Sequence, residues 1–173
     1  DIFSLKFFPL LYSAIHTSYI QTPLRFMRAV TDADSVYSLE FDDDYCSVEI
    51  IEGTMAEQIA KELEEYFSGR RKEFTLNLKP RGTAFQLQVW EKLKSVPYGR
   101  TISYNEQAIQ SGNVKNIRAT AAANGKNPIA IVIPCHRVIG TSGALTGYAG
   151  GLWRKEKLLQ FESGSQQMDL FSH

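Results

Sequence analysis

The distribution of apolar and polar positions predicts strands in the first part of the chain. Residues 24–30 and 36–41 are rich in β-branched and aromatic side chains, and an Asp-containing turn over residues 31–35 separates them. Residues 46–51 have a similar composition and follow a second acidic turn. We therefore expect strands over these segments, joined by short turns.

The apolar spacing becomes helical at Thr54. This residue is a suitable helix cap, and Glu57 follows it at the position that a capping box requires. Ile59, Leu63 and Phe67 then recur at a spacing that places them on one face of a helix. A glycine shortly afterwards ends this predicted helix.

The second half of the chain predicts helices instead of strands. Residues 72–80 are polar and extended, and we interpret them as a linker. Helices are expected from the cap at Thr83 to Leu93 and over residues 103–110, 115–124 and 153–161. The expected domains are a strand-and-helix domain (1–78), a mainly helical domain (79–163) and a flexible tail (164–173). The predicted fold class is α/β, of the α+β type.

The predicted helices 103–110 and 115–124 are joined by a tight turn that contains a glycine. This is the pattern of a helix-turn-helix, in which the second helix reads DNA, although many such helix pairs bind nothing. The apolar run over residues 129–134 predicts a buried strand or extended segment that ends at Cys135. A glycine-rich loop over residues 140–151 follows.

The apolar run over residues 1–17 lacks the basic start and the cleavage site of a signal peptide. It is also too short and too interrupted to span a membrane. A strand or an arm is expected there, and residues left from cloning are the alternative. Cys46 and Cys135 cannot form a disulfide framework, so a reducing, cytoplasmic setting without a membrane is expected.

The net charge is zero, but the charges are unevenly distributed along the chain. Residues 32–66 contain twelve acidic residues and one basic residue, whereas residues 79–140 contain nine basic and two acidic residues. A polyanion that docks on one face would explain this asymmetry. A dipolar surface without a partner explains it equally well.

Cys135 is preceded by Pro134 and followed by His136 and Arg137. A cysteine is a strong nucleophile only as the thiolate, which requires a proton acceptor or a positive field nearby. The histidine is a suitable acceptor, a carboxylate could orient it, and the proline would fix the entry to the turn. A buried, inert cysteine beside a capping histidine is the alternative, and these residues alone leave the two balanced.

The segment 133–138 reads Ile-Pro-Cys-His-Arg-Val and resembles the active-site signature of the O6-alkylguanine-DNA alkyltransferases. Similar segments follow the family's order and spacing at 82–86, 89–90, 97–99, 103–104, 117–119, 123–125, 127–128, 147–151 and 155–162. So many motifs in register are far more specific than any one of them. The resemblance implies an RNase H-like N-terminal domain and a winged-helix-like C-terminal domain.

The resemblance implies a DNA-repair protein that transfers an alkyl group from guanine irreversibly to Cys135. Each molecule would act once and without a cofactor, and O4-alkylthymine is a further candidate substrate. His136, through a water, would generate the thiolate, and Glu162 would complete the relay behind it. Asn127 would brace the turns around the site, and Tyr104 would contact the target base and its phosphate.

The partner that the resemblance implies is double-stranded DNA containing O6-alkylguanine, bound by a monomer with the base flipped out. Arg118 would fill the space that the base leaves. The expected DNA contacts are Tyr104, Arg118, Ala119, Ala122 and Ala123, and the expected pocket residues are Pro134, Val138, Tyr148 and Ala149. Small side chains suit close approach to a minor groove, although helix propensity or tight packing also explains the alanines.

Some members of the family bind zinc in the N-terminal domain through two cysteines and two histidines. Here only Cys46 and His16 precede the active-site segment, so no metal site is expected. Cys46 is most simply interpreted as a core residue.

The end of the chain resembles the short peptide that binds the bacterial sliding clamp. It follows a Ser-Gly-Ser linker, and its clamp-binding candidates are Gln167, Met168, Leu170 and Phe171. A disordered or locally packed tail is the alternative, because short motifs are easily matched by chance.

Two other functions are compatible with parts of this pattern. A DNA-binding sensor would use the helix pair without any chemistry. A cysteine hydrolase would use Cys135 and His136 over repeated turnovers, but it would leave Arg118 and the alanine-rich helix without a role.

Overall fold

The first strand begins at His16 in the computed structural model, which describes residues 14–165 of the chain. Most of the strand or arm expected over residues 1–17 therefore lies outside the described residues. The predicted clamp-binding peptide, with Gln167, Met168, Leu170 and Phe171, also lies outside the described residues.

Three antiparallel strands form the N-terminal sheet, in the order β1-β2-β3. They are β1 (His16–Thr22), β2 (Arg25–Thr31) and β3 (Val36–Phe41). The strands expected at 24–30 and 36–41 are confirmed to within one residue. Ile20, Met27 and Leu39 are buried, because alternate side chains along each strand point to the same face of the sheet.

The helix α1 (Met55–Phe67) packs against this sheet. The Thr54 hydroxyl oxygen accepts a hydrogen bond from the Ala56 N–H at 3.2 Å and caps the helix as predicted. The Glu57 carboxylate accepts from the Gly53 N–H at 2.9 Å, so the capping box does not form. The predicted buried face is confirmed and contains Ile59, Leu63 and Phe67.

The segment after β3 does not form the strand expected over residues 46–51. It meets β1 through an isolated antiparallel bridge, in which Glu49 and Tyr19 exchange two backbone hydrogen bonds, and through the Ser18 hydroxyl, which accepts from the Ile51 N–H at 3.0 Å. The ring of Tyr45 also stacks on that of Tyr19, with centroids 3.4 Å apart, so side-chain packing supplements this isolated bridge. Cys46 is exposed, and its interpretation as a core residue was wrong.

The rest of the chain is mainly helical, as predicted. Its helices are α2 (Ala84–Leu93), α3 (Tyr104–Gln110), α4 (Ile117–Gly125) and α5 (Leu152–Glu162). Capping boxes begin α2, with Thr83 and Gln86, and α3, with Ser103 and Glu106. A 3-10 helix, Val114–Asn116, leads into α4. The fold class, a strand-rich first part followed by a helical second part, is confirmed.

The apolar run before the cysteine motif is neither a strand nor extended. It folds into tight turns, in which the Val132 N–H donates to the Ala130 carbonyl at 2.8 Å and the Ile133 N–H donates to the Ile129 carbonyl at 3.0 Å. Ile131 has a φ of 71°, in the left-handed region that β-branched residues avoid. The burial of this segment was predicted correctly. Its turns were not predicted, because packing against the rest of the fold overrides the strand-like composition.

The outer edge of β3 pairs with the linker segment and with the segment before the cysteine motif. Isolated parallel bridges join it to Leu78 and to Ile129. The Leu39 N–H donates to the Pro128 carbonyl, and the Ala130 N–H donates to the Leu39 carbonyl, both at 2.8 Å. The N-terminal sheet therefore holds the segment that leads to the cysteine motif.

Two short parallel strands, β4 (Ile102–Ser103) and β5 (Val138–Ile139), bring the start of α3 next to the end of the cysteine motif. Tyr104 follows β4 directly and is therefore close to the residues around Cys135. Within residues 14–165, no helix is long and apolar enough to cross a membrane.

Candidate active site

Cys135 is the first residue of a 3-10 helix, Cys135–Arg137, and is 7% exposed. The Asn127 side-chain amide donates to its Sγ at 3.2 Å and to the Ile133 carbonyl at 2.8 Å. The Asn127 Oδ1 accepts from the Ile129 N–H at 3.0 Å. One asparagine therefore holds the turns and the sulfur together.

Burial raises the pKa of the Cys135 thiol. The hydrogen bond from Asn127 and the charge of Lys155 act in the opposite direction, but they do not outweigh burial. The thiol is therefore protonated at rest, and a base is needed to make it nucleophilic.

His136 is fully buried, and its Nε2 lies 2.8 Å from the Glu162 Oε1. Burial lowers the pKa of His136 despite the neighbouring carboxylate, so the imidazole is neutral near pH 7. Because a carboxylate only accepts, the proton of the neutral ring lies on Nε2 and the lone pair lies on Nδ1. Nδ1 has no hydrogen-bond partner among the described residues, so it is free to accept a proton.

Glu162 ends α5 and is buried among donors. Arg137 holds it with two parallel hydrogen bonds, from Nε to Oε2 at 2.8 Å and from Nη2 to Oε1 at 2.9 Å. The Tyr66 hydroxyl donates to Oε1 at 2.7 Å, and the Gly99 N–H donates to Oε2 at 3.2 Å. Burial would raise the pKa of Glu162, but the hydrogen bonds from His136 and Arg137, together with the charge of Arg137, outweigh burial and hold it far below its usual value.

Tyr104 and Lys155 meet under the glycine-rich loop. The Tyr104 hydroxyl donates to the Thr146 carbonyl at 2.7 Å. The buried Lys155 Nζ donates to the same carbonyl at 3.0 Å and to the Tyr104 oxygen at 3.3 Å. Burial lowers the pKa of Lys155 and raises that of Tyr104. The cation therefore fixes both the loop and the phenol.

The predicted pocket residues lie on the segments that flank the cysteine. Pro134 and Val138 are buried on either side of the 3-10 helix, whereas Tyr148 and Ala149 belong to the glycine-rich loop. The Tyr148 hydroxyl is buried without a hydrogen-bond partner among the described residues, and burial raises its pKa well above the usual value. That these four residues line a pocket and contact a base stays a prediction.

The predicted DNA-contacting residues do not all face outward. Arg118, Ala119 and Ala122 are exposed on α4, whereas Ala123 is buried and its carbonyl accepts a hydrogen bond from the Trp90 indole N–H at 2.8 Å. The side chain of Ala123 packs inward, so the exposed face of α4 is formed by Arg118, Ala119 and Ala122.

The pair α3 and α4 is joined by a buried amide pair. Gln107 and Asn124 donate to each other's side-chain oxygens at 2.8 and 2.6 Å. This reciprocal pair holds α3 and α4, the two helices of the predicted helix-turn-helix, at a fixed angle to each other.

Three residues that contact Glu162 or Tyr104 were not among the predicted site residues. Arg137 stands beside the predicted histidine, so its position in the sequence could have indicated it. Lys155 lies on the predicted last helix, where its burial has no sequence signal. Tyr66 reaches Glu162 from α1, 96 residues away, and no local pattern indicates that contact.

Comparisons with known proteins identify relatives of the C-terminal part. Residues 84–164 match the model of the 6-O-methylguanine DNA methyltransferase DNA-binding domain. A methylated-DNA–protein-cysteine methyltransferase of Methanosarcina acetivorans is 53% identical over 105 residues, which are 61% of this chain and 67% of that protein. The protein of the same name from Mycobacterium tuberculosis is 52% identical over 109 residues, which are 63% of this chain and 66% of that protein.

Solved structures extend the similarity to nearly the whole chain. A crystal structure of the Mycobacterium tuberculosis O6-methylguanine methyltransferase superposes with a TM-score of 0.79 at 38% identity and covers 91% of this chain and 98% of that one. A structure of the Mycobacterium tuberculosis protein in complex with DNA gives a TM-score of 0.77 at 40% identity, over 84% and 91% of the two chains.

Proposed function

The chain belongs to the methylated-DNA–protein-cysteine methyltransferase family, and on this premise we propose that it repairs DNA by moving an alkyl group from guanine O6 to Cys135. The observation that carries the proposal is that a buried thiol and a buried histidine lie on one 3-10 helix and that the histidine is hydrogen-bonded to a buried glutamate. His136 bonds Glu162 at 2.8 Å and presents a lone pair without a partner, and Asn127 contacts the sulfur.

In the proposed mechanism, one water relays the thiol proton of Cys135 to the His136 Nδ1. Glu162 stabilises the resulting imidazolium, because it is already ionised and hydrogen-bonded to Nε2. The sulfur then forms a bond to the alkyl carbon while the bond from that carbon to guanine O6 breaks. The electron pair returns to guanine, which takes a proton, and the Tyr104 hydroxyl is the candidate group to supply it.

A single turnover follows from the product that this reaction leaves. The sulfur becomes a thioether, which is a poor leaving group, and it stays in a buried site. The other cysteine, Cys46, is exposed, outside the cluster around Cys135. Each molecule therefore accepts one alkyl group.

Base flipping is part of the proposal, because an intact duplex hides guanine O6 from a buried sulfur. Rotation of the base out of the stack costs a few kcal/mol, and insertion of the exposed Arg118 offsets part of this cost. Ala119 and Ala122 leave room for a close approach of α4 to the minor groove. The matched test is Arg118→Ala, which should slow transfer from a duplex but not from a free O6-methylguanine base.

Intact-protein mass spectrometry tests the reaction directly. After incubation with duplex DNA containing O6-methylguanine, the protein should gain one methyl group in place of one proton, located on Cys135 by peptide mapping. Cys46→Ala should behave like the unmodified protein, and Cys135→Ala should gain nothing. Methyl transfer that persists in Cys135→Ala would contradict the assignment, and binding without mass gain would favour a sensor.

The domain division and the tail are further parts of the proposal. The N-terminal sheet and α1 would support a DNA-binding and alkyl-accepting part that begins near residue 79 and acts as a monomer. The tail peptide with Gln167, Met168, Leu170 and Phe171 would bind a bacterial sliding clamp and bring the protein to replicating DNA. Titration of a clamp with the full chain and with a chain ending at Ser165 tests this; equal binding, or none, would exclude it.

A further inference from the structure

The hydroxyl of Tyr66 connects α1 to Glu162, the glutamate of the proposed relay. It donates to the Glu162 Oε1 at 2.7 Å, and the tyrosine is fully buried. The same oxygen accepts from the His136 Nε2 at 2.8 Å and from the Arg137 Nη2 at 2.9 Å. A residue of the first half of the chain therefore shares one acceptor atom with the proposed base.

We propose that Tyr66 is a positioning residue for alkyl transfer, which holds the Glu162 carboxylate in the orientation that supports His136. This inference rests on the proposed function. His136 and Arg137 are neighbours on one short 3-10 helix, so their contacts with Glu162 move together with that helix. Tyr66 and the Gly99 N–H approach from other elements and fix the carboxylate relative to the rest of the fold.

The ring of Tyr66 is itself rigidly placed. It contacts Phe67, Phe74, Tyr98 and Phe161, with ring centroids 5.0, 5.5, 5.9 and 5.5 Å away. Aromatic contacts of this kind fix a ring by packing as well as by burial. The hydroxyl is therefore held where it is by α1, α5 and the loop after α2 and has little freedom to follow a displaced carboxylate.

Tyr66 adds a donor to the relay without adding a charge. Burial, and then the neighbouring Glu162, raise its pKa well above the usual value, so the phenol stays protonated over the working range of a protein. Several ionisable groups face Glu162 or His136: Tyr66 from α1, Tyr98 from the loop after α2, His136 and Arg137 from the 3-10 helix, Tyr148 from the glycine-rich loop, and Lys155 from α5.

Tyr98 provides a matched control for the loss of one hydroxyl. Its ring lies in the same aromatic cluster, 5.9 Å from that of Tyr66, but its hydroxyl makes no hydrogen bond to Glu162. Tyr66→Phe and Tyr98→Phe therefore remove the same group from the same cluster. Only the first removes a donor from the carboxylate.

Two measurements on the whole 173-residue chain test the proposal. The first is the single-turnover rate of methyl transfer from O6-methylguanine DNA across pH. The second is the ultraviolet absorbance of the Cys135 thiolate as pH rises, in a Cys46→Ser background and with Cys135→Ser as the blank. The second requires no DNA, so it reports on the relay even where no transfer occurs.

Tyr66→Phe should lower the transfer rate at neutral pH by about tenfold, a fraction of the 100- to 10 000-fold that general-base catalysis contributes. It should also raise the pH at which the Cys135 thiolate forms by about one unit, since a tenfold change in the equilibrium corresponds to one unit. Tyr98→Phe should change neither by more than about twofold.

A Tyr66→Phe protein that matches the unmodified protein in both measurements would overturn the proposal, even if its stability had fallen, because the hydroxyl would then be only structural. A rate or a thiolate fraction above that of the unmodified protein would overturn it as well. Failure of the unmodified protein to accept a methyl group would instead refute the proposed function, and the thiolate titration would still decide the role of Tyr66.

Discussion

Asp43 and Arg154 form an ion pair, with N–O distances of 2.5 and 3.1 Å, that joins the end of the N-terminal sheet to α5. Arg154 is 2% exposed, and its guanidinium also donates to the Leu24 and Gly150 carbonyls at 2.9 Å. Gly150 follows Ala149, one of the predicted pocket residues. Asp43, from the first half of the chain, therefore holds the arginine that anchors the backbone beside the proposed pocket.

We expect Asp43→Asn to lower the free energy of unfolding by about 1–2 kcal/mol, because a buried guanidinium loses its countercharge. The loss is smaller than for a fully buried pair, since Asp43 itself is 51% exposed on its side chain and solvent offsets part of the interaction. Urea unfolding measures the change. Asp44→Asn is the control, because Asp44 is an exposed neighbour, and an equal loss in both variants would contradict the prediction.

Gly150→Ala should distort the proposed pocket. A Cβ at this position would lie 2.6 Å from the Phe41 Cδ2 and 2.9 Å from the Tyr148 Cε1, so a ring or the loop must move. We expect a loss of about 1–3 kcal/mol in stability and a slower methyl transfer. Gly125→Ala is the control, since nothing outside its own helix backbone and chain neighbours lies within 4 Å of the added Cβ.

A second substitution separates the two possible causes of such a loss. If the clash with Phe41 is responsible, Phe41→Leu should restore part of the transfer rate in the Gly150→Ala background. Failure of this double variant to recover any activity would show that the clash with Tyr148, or the loop backbone, is what matters.

Asn127→Ala should raise the pKa of the Cys135 thiol further, because the hydrogen bond to the sulfur is the largest contribution that opposes burial. The Ile129 N–H also loses its partner, which costs about 1–3 kcal/mol for a buried group left unsatisfied, whereas the Ile133 carbonyl keeps the hydrogen bond from the Cys135 N–H at 2.8 Å. The pH dependence of the transfer rate tests the first effect, and urea unfolding tests the second. An unchanged pH profile in a folded variant would refute the contribution to the thiol.

Stability should fall as the pH decreases below about 6.5, the usual value for histidine. His136 has a lowered pKa in the folded state, so the unfolded chain binds its proton first and is favoured by acid. The lowered pKa of Glu162 has the same sign, and its contribution is complete above 4.5 and is lost below it. Urea unfolding at pH 7.5, 5.5 and 4 measures both steps.

His136→Gln is the control for this pH dependence. It keeps an amide donor that can reach Glu162 but has no group that titrates near pH 6.5. The decrease in stability between pH 7.5 and 5.5 should therefore become smaller than in the unmodified protein. An identical decrease would show that other groups cause it.

The sequence predicted best where local chemistry decides the structure. The caps at Thr83 and Ser103 and the helical spacing after Thr54 define helices through contacts only a few residues apart, so these elements were found nearly to the residue. The cysteine motif likewise brings Cys135 and His136 together because they are adjacent in sequence. Glu162 was placed beside them through the family resemblance, and the structure brings the two side chains to 2.8 Å.

The errors occurred where distant contacts override composition. Residues 129–134 have the β-branched composition of a strand, but Ile131 adopts a left-handed conformation that only packing against the rest of the fold can impose. The contact of Tyr66 with Glu162 and that of Asp43 with Arg154 join residues about a hundred positions apart. Neither the period of a helix nor the alternation of a strand contains such information.

The paired edge of β3 has a consequence for how the protein unfolds. Leu39 exchanges backbone hydrogen bonds with Pro128 and Ala130, so removal of the second half would leave a strand edge with unpaired groups. We therefore expect one cooperative transition for the whole chain instead of two. A protease cut within residues 72–80 should leave the fragments associated, and neither fragment should refold alone.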